Sequence, residues 1–149
     1  MRFPTKFALA LVLPMFAPAE PFPPLVTVTY MADAASSWQP CPNLRVVDGD
    51  TIRCGSERVR LLGIDAPELH GCPRNRQCVP GDPVAARLSL QQGLSAGPVR
   101  YFMVKRDRYG RAVAVVMAGG LNLSCWQLEQ GRAEYIAKWD DGRRIGSAC

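Results

Sequence analysis

Val46-Val47-Asp48-Gly49-Asp50-Thr51-Ile52-Arg53 is an alternating apolar run broken at Asp-Gly, and Val59-Arg60-Leu61-Leu62-Gly63-Ile64-Asp65-Ala66-Pro67-Glu68 follows a few residues later. Two carboxylates brought to one end of a sheet repel each other unless a cation lies between them. If Asp50 and Asp65 meet in that way, a hard divalent ion suits them, because calcium and magnesium prefer carboxylate and carbonyl oxygen. The single histidine of the chain argues against a multi-histidine transition-metal centre. A third stretch, Lys105-Arg106-Asp107-Arg108-Tyr109-Gly110-Arg111, adds guanidinium groups, whose planar forks suit bidentate contacts to phosphate. Acids, a hard cation and arginines together point to phosphodiester chemistry.

Such residues need elements to hold them. Asp48-Gly49 between β-branched residues predicts a hairpin, with glycine supplying a positive φ at the turn. The next strand is expected to run through Arg60 and to deliver Asp65 and Glu68 where Pro67, lacking an N–H, stops it. Asp82 followed by Pro83 predicts a helix N-terminus, and the helix continues through Gln92, with Val84, Leu88 and Gln91 to Gln92 sharing a face. Val99–Val104 and Ala112–Met117 read as strands flanking the basic turn. A second helix is expected from about Asn122 to Gln130, stopped by Gly131, with Leu123, Trp126 and Leu128 available for burial. The order β-β-β-α-β-β-α suits a small barrel.

The ordered set Asp48-Gly49-Asp50-Thr51, Arg60-Leu61-Leu62-Gly63-Ile64-Asp65-Ala66-Pro67-Glu68 and Asp107-Arg108-Tyr109-Gly110-Arg111 resembles the staphylococcal-type thermonuclease (micrococcal nuclease) family. The resemblance covers roughly residues 43 to 139, and an ordered set is more specific than any one short motif. It implies an α+β, mainly β fold, a five-stranded OB-type barrel with two helices, and calcium-dependent cleavage of DNA and RNA. Asp50 and Asp65 look like the carboxylate ligands of the calcium, and Ala66 like the position lending a backbone carbonyl. Arg60 and Arg111 resemble the phosphate-clamping arginines, and Glu68 the group that activates the attacking water. Arg108 and Tyr109 resemble the pair beside the terminal phosphate of a bound nucleotide. Tyr135 and Trp139 lie near where the family places aromatics against a base. The sequence stops at Cys149, before the third C-terminal helix of the best-known members, so this helix is expected to be lacking.

The 149 residues, 48% of them hydrophobic, are enough for one small domain with a real core, and a net charge of +5 suits a polyanionic partner. Arg2 and Lys6 precede the apolar stretch Phe7–Phe16 and Ala17-Pro18-Ala19, so residues 1–19 read as a secretory signal. The stretch is short for a span of about 20 residues, although an uncleaved anchor, or a start at Met31 giving a cytoplasmic product, is also compatible. Residues 20–42, rich in proline, alanine and serine, read as a lead-in to a domain at 43–149. Six cysteines behind a leader favour disulfides and a secreted or periplasmic location. Cys72 and Cys78 form the expected local bridge. Cys41, Cys54, Cys125 and Cys149 can pair in three ways, with Cys125–Cys149 favoured because it would hold the tail.

Other readings weigh against these. Asp48-Gly49-Asp50 taken alone is an ordinary tight turn, and the basic cluster an ordinary solvated hairpin. His70 with Cys72 and Cys78 could bind zinc, but no paired Cys-x-x-Cys spacing supports it. A non-catalytic nucleic-acid-binding OB module is the main alternative function, and such modules are expected to lose an acid or an arginine of the set. Here the set is complete. The expected partners are DNA and RNA, with no stable protein partner and a monomeric chain.

Overall fold

The computed structural model describes residues 37–149; the leader-like segment 1–19 lies outside the described residues. Nine short strands and two α-helices follow one another: β1 (Gln39–Pro40), β2 (Arg45–Val46), β3 (Thr51–Cys54), β4 (Glu57–Leu61), β5 (Ile64–Asp65), α1 (Pro83–Leu94), β6 (Val99–Arg106), β7 (Ala112–Ala118), β8 (Leu121–Asn122), α2 (Leu123–Glu129) and β9 (Glu134–Tyr135). The main sheet has the order β1-β6-β7-β4-β3-β2, with β8 beside β7, and β5 pairs with β9 separately. The fold is mainly β, a curled half-barrel carrying two helices, as expected of an OB-type domain. The paired residues reach back to Gln39, within the segment read as a lead-in.

The curl follows from connectivity. β1 lies at one edge of the sheet and β2 at the other, yet only residues 41–44 separate them in sequence. The two edges must therefore approach each other. The Cys41–Cys54 disulfide, with its Cα atoms 4.6 Å apart, fastens the end of β1 to the end of β3. The two remaining bridges are Cys72–Cys78 and Cys125–Cys149. With Cys72 and Cys78 oxidised together, they are not a thiolate pair for zinc.

The expected hairpin forms, but its glycine serves another purpose. Val46 pairs with Ile52, and the loop between them carries Asp48, Gly49 and Asp50. Gly49 is not in the left-handed region; a Cβ there would sit 2.7 Å from the Ala86 Cβ and 2.8 Å from the Ala66 Cβ. It permits close approach of α1 to the acidic loop. The strand through Arg60 also ends earlier than expected, at Leu61. Gly63, with φ of 74°, turns the chain so that Asp65 lies on a separate strand, where it is the register partner of Glu134. A bulge between Met103 and Lys105 interrupts the β6–β7 register and precedes the basic turn.

One face of the sheet buries Ile52, Val59, Leu61, Tyr101 and Val116 against Leu90 and Leu94 of α1 and Leu123 of α2. Ala112, Ala114 and Ala118 on β7 leave room for these helices. The Asp82 carboxylate caps α1 by accepting from Val84 N and Ala85 N, and Pro83 takes the first helical position. The face containing Val84 and Leu88 points outward, with these residues 55% and 59% exposed, while Ala86, Leu90 and Leu94 face the core. On α2 the buried Gln127 donates from Nε2 to Gly49 O at 2.6 Å and Ala86 O at 2.9 Å, joining both helices to the acidic loop.

Among the described residues no α-helix follows α2; two short 3-10 turns, Ala137–Trp139 and Asp141–Arg143, occupy the C-terminal part. Ile145 is buried with Leu62 and Val113, and Cys149 is bonded to Cys125 of α2. The Asp140 carboxylate accepts from Ile145 N, Gly146 N and the Tyr135 hydroxyl at 2.8–3.1 Å. Burial raises the Asp140 carboxyl, but these donors outweigh it and hold the group below the usual carboxylate range.

Two expected outcomes follow from this segment. Replacing Cys125 and Cys149 by serine removes a 24-residue closure and should lower unfolding stability by about 3 kcal/mol in a denaturant titration. Because the folded pKa of Asp140 is depressed, its contribution is present above the unfolded value of about 3.9 and lost as pH falls through the folded one. Asp140→Asn should therefore flatten the fall of melting temperature below about pH 4; an unchanged acid profile would show that this carboxylate does not fasten the segment.

Candidate active site

Thr51 is paired across the sheet with Arg60, so Asp50, one residue before Thr51, reaches the Arg60 side chain from the neighbouring strand. The Asp50 carbonyl accepts from Leu61 N at 2.8 Å, locking this register at the end of β3. The turn at Gly63 returns the chain so that Asp65 approaches from the other side. Arg60 Nη2 then lies 2.8 Å from Asp50 Oδ2 and 2.7 Å from Asp65 Oδ1. All three side chains are buried, at 9%, 6% and 3% exposure. The structure thus brings together the two expected metal-ligand carboxylates, with a guanidinium between them.

Asp50 is further held by Thr51 Oγ1, which donates to Oδ1 at 2.8 Å, and by Ala66 N, which donates to Oδ2 at 3.3 Å. Ala66, expected to lend a carbonyl, here uses its N–H. Burial is the largest influence on Asp50 and pushes its carboxyl up to about 7, against the lowering effect of Arg60. A second positive charge would relieve the same penalty.

Among the described residues no three His, Cys, Asp or Glu side chains converge as a ready-made metal cage. The donor chemistry nevertheless fits a hard cation. Asp50 and Asp65 are acid oxygens on one centre of positive charge, the Arg60 Nη2 atom, which marks where a cation is favoured.

Glu68 follows Pro67 on the loop after β5, 28% exposed, and accepts from Arg76 Nη1. Arg76 also bonds Asp65 Oδ1 through Nη2. This arginine was not among the expected site residues, although its position between Cys72 and Cys78 was a signal that the loop carries a cation beside the acids. Arg60 and Arg76 both lie over the Trp139 ring, 5.1 and 5.8 Å from its centroid. Trp139 is therefore a platform for the arginines.

Across the groove the basic turn is built by Asp107. Its Oδ1 accepts from Tyr109 N and Arg111 N, both at 2.9 Å, and its Oδ2 accepts from Arg111 Nε at 2.7 Å. Burial raises Asp107, but the Arg111 and Tyr109 bonds prevail and hold it below the ordinary value. Arg111 is thereby oriented by a carboxylate that sequence reasoning did not single out. Tyr109 is 65% exposed, with the Arg108 guanidinium 4.9 Å from its ring centroid. Arg106 is diverted from the groove into a pair of bonds with Glu57 at 2.8 and 2.9 Å. Arg60, Asp65, Arg76, Arg111, Tyr109 and Trp139 line one groove of about 1000 Å³. Lys105, Arg108 and Lys138 add positive charge along it. Such a groove suits a chain of phosphates, with the exposed Tyr109 ring available to a base.

The profile of the family described as "Staphylococcal nuclease homologue" matches residues 58–145. The chain belongs to this family. The match contains Arg60, Asp65, Glu68, Arg76 and Arg111 and begins after Asp50. A curated relative, the succinoglycan biosynthesis protein ExoI of Rhizobium meliloti (strain 1021), is 38% identical over 91 residues, which is 59% of this chain and 48% of that protein. The chain thus matches about half the length of that relative. Membership of the staphylococcal nuclease family indicates a nuclease or nucleic-acid-related function and accords with the cationic groove.

The buried Asp50–Arg60–Asp65 triad makes Arg60 a structural residue of the site. Truncating it strands two buried carboxylates, which costs about 3–5 kcal/mol. Arg60→Ala should melt well below the wild type in chelator and recover part of the difference in millimolar calcium; equal melting temperatures in chelator would mean that the triad is not buried as described.

Proposed function

We propose that this protein is a calcium-dependent nuclease that hydrolyses phosphodiester bonds of DNA and RNA. The single observation that best supports this is the convergence of Asp50, Asp65, Glu68, Arg60 and Arg111 on or beside one cationic groove. Asp50 and Asp65, with the Ala66 backbone, would hold the ion. When bound, calcium supplies charge neutralisation at the phosphoryl oxygens.

The remaining work falls to the side chains. Arg60 makes its bonds to Asp50, Asp65 and Ile64 O through Nη2, which leaves the other N–H groups of its fork for a phosphate oxygen. Arg111, held by Asp107 through Nε, has its terminal nitrogens left for a second oxygen. Donors fixed before the reaction stabilise the extra negative charge of the transition state without reorganising. Glu68 orients a water in line with the scissile bond and takes its proton as the water oxygen bonds to phosphorus. The P–O bond to the leaving oxygen breaks, and that oxygen is protonated from solvent. Arg108 and Tyr109 would hold a terminal phosphate and its neighbouring base, a reading supported by their contact with each other on the groove wall.

A nucleic-acid-binding module without catalysis is the competing reading, and the complete acid and arginine set speaks against it. We further propose a secreted or periplasmic location; three disulfides in one small domain favour an oxidising compartment.

The deciding experiment is digestion of single-stranded DNA and of RNA by the oxidised protein, with calcium or with chelator. Cleavage should require calcium, and Glu68→Gln should lower it by roughly 10²-fold or more. Binding without cleavage in every condition would favour the non-catalytic module.

A further inference from the structure

The loop closed by Cys72–Cys78 brings a guanidinium into the site for which the reaction outlined above has no use. Arg76 N donates to Pro73 O at 3.1 Å, forming a turn inside the bridged loop. From there the side chain reaches back to the acids. Its two terminal nitrogens are divided between them, Nη1 at Glu68 Oε1 and Nη2 at Asp65 Oδ1. The Trp139 ring, 5.8 Å from the guanidinium carbon, supports its face.

We propose that Arg76 is a positioning residue for Glu68, and that the Cys72–Cys78 bridge is what delivers it. This rests on the assignment of Glu68 as the proton acceptor. Glu68 sits on an irregular loop and is 28% exposed, so its flexible side chain has rotamer freedom that must be removed before it can meet a water in line. Asp65 is rigid by comparison, buried and fixed by Arg60. A planar fork bonded to both transfers that rigidity from the metal-position carboxylate to the base. Because Arg76 engages Oε1, the other oxygen of Glu68 remains for the water. A lysine, a point charge on a flexible stem, would not span two carboxylates in this manner.

Kinetics separate alignment of Glu68 from the opposite role, a latch that blocks the base. In the oxidised full chain at saturating calcium, Arg76→Ala should lower kcat roughly tenfold, with KM within about twofold, since loss of alignment acts on the chemical step. Arg76 acts through Glu68, so the same substitution in a Glu68→Gln background should change kcat by less than about twofold. Cys72→Ser with Cys78→Ser should reproduce part of the kcat loss while leaving Arg76 in the chain. Calorimetric titration of the metal-free Arg76→Ala protein with calcium should give binding within about twofold of wild type, because a guanidinium supplies no oxygen ligand to the ion.

Three results would overturn the proposal: a kcat unchanged or raised in Arg76→Ala, an equal loss in both Glu68 backgrounds, or weakened calcium binding that explains the loss by itself. An active wild type with any of these sinks only the role of Arg76. An oxidised wild type that never cleaves sinks the nuclease reading and this proposal with it.

Discussion

The structure depends on a buried guanidinium held between two buried carboxylates. Removing Asp50, Arg60 and Asp65 from water is expensive for each alone, and only their mutual contacts at 2.7–2.8 Å make the arrangement tenable. The cost is still visible in Asp50, whose carboxyl is pushed up to about 7 by burial despite its arginine neighbour. An apolar trio could fill that volume with less penalty. That two acids and a base occupy it instead accords with a site that stores negative charge for a cation and positive charge for a phosphate in one place.

The surrounding fold serves to hold that charge still. Three devices converge on it: the β3–β4 register that sets Asp50 against Arg60, the turn at Gly63 that sends Asp65 back, and the Gln127 side chain that anchors the Gly49 carbonyl. Gly49 lets α1 pack so close that no side chain would fit. Core and site are therefore not separable, because the helices fix the loop that carries Asp48 and Asp50.

The arginines around the groove differ in how they are restrained, and restraint decides what each can do. Arg106 is spent on Glu57 across the sheet. Arg111 is aimed by Asp107 within its own turn, and Arg76 is carried by a disulfide-closed loop and supported on Trp139. Arg108 packs on the exposed Tyr109 ring and is the least confined by ion pairing. Four guanidiniums that look alike in a sequence thus have distinct partners in space.

Much of this was legible beforehand because it is local. Asp82-Pro83 specifies a helix start by its own capping chemistry, Asp-Gly between β-branched residues specifies a reversal, and the order of the three motifs specifies a family and hence a mainly β domain with two helices. What the tertiary structure decided is long-range. Arg76, Asp107 and Gln127 act only through partners brought near by folding, and the burial of Arg60 depends on β4 lying inside the sheet between β3 and β7. The outward face of α1 shows the same limit, since spacing groups Val84 with Leu88 but cannot say which side the sheet takes. Motif order is written in covalent sequence; desolvation and ion pairing belong to the packed chain, and at this site they set what each charged residue does.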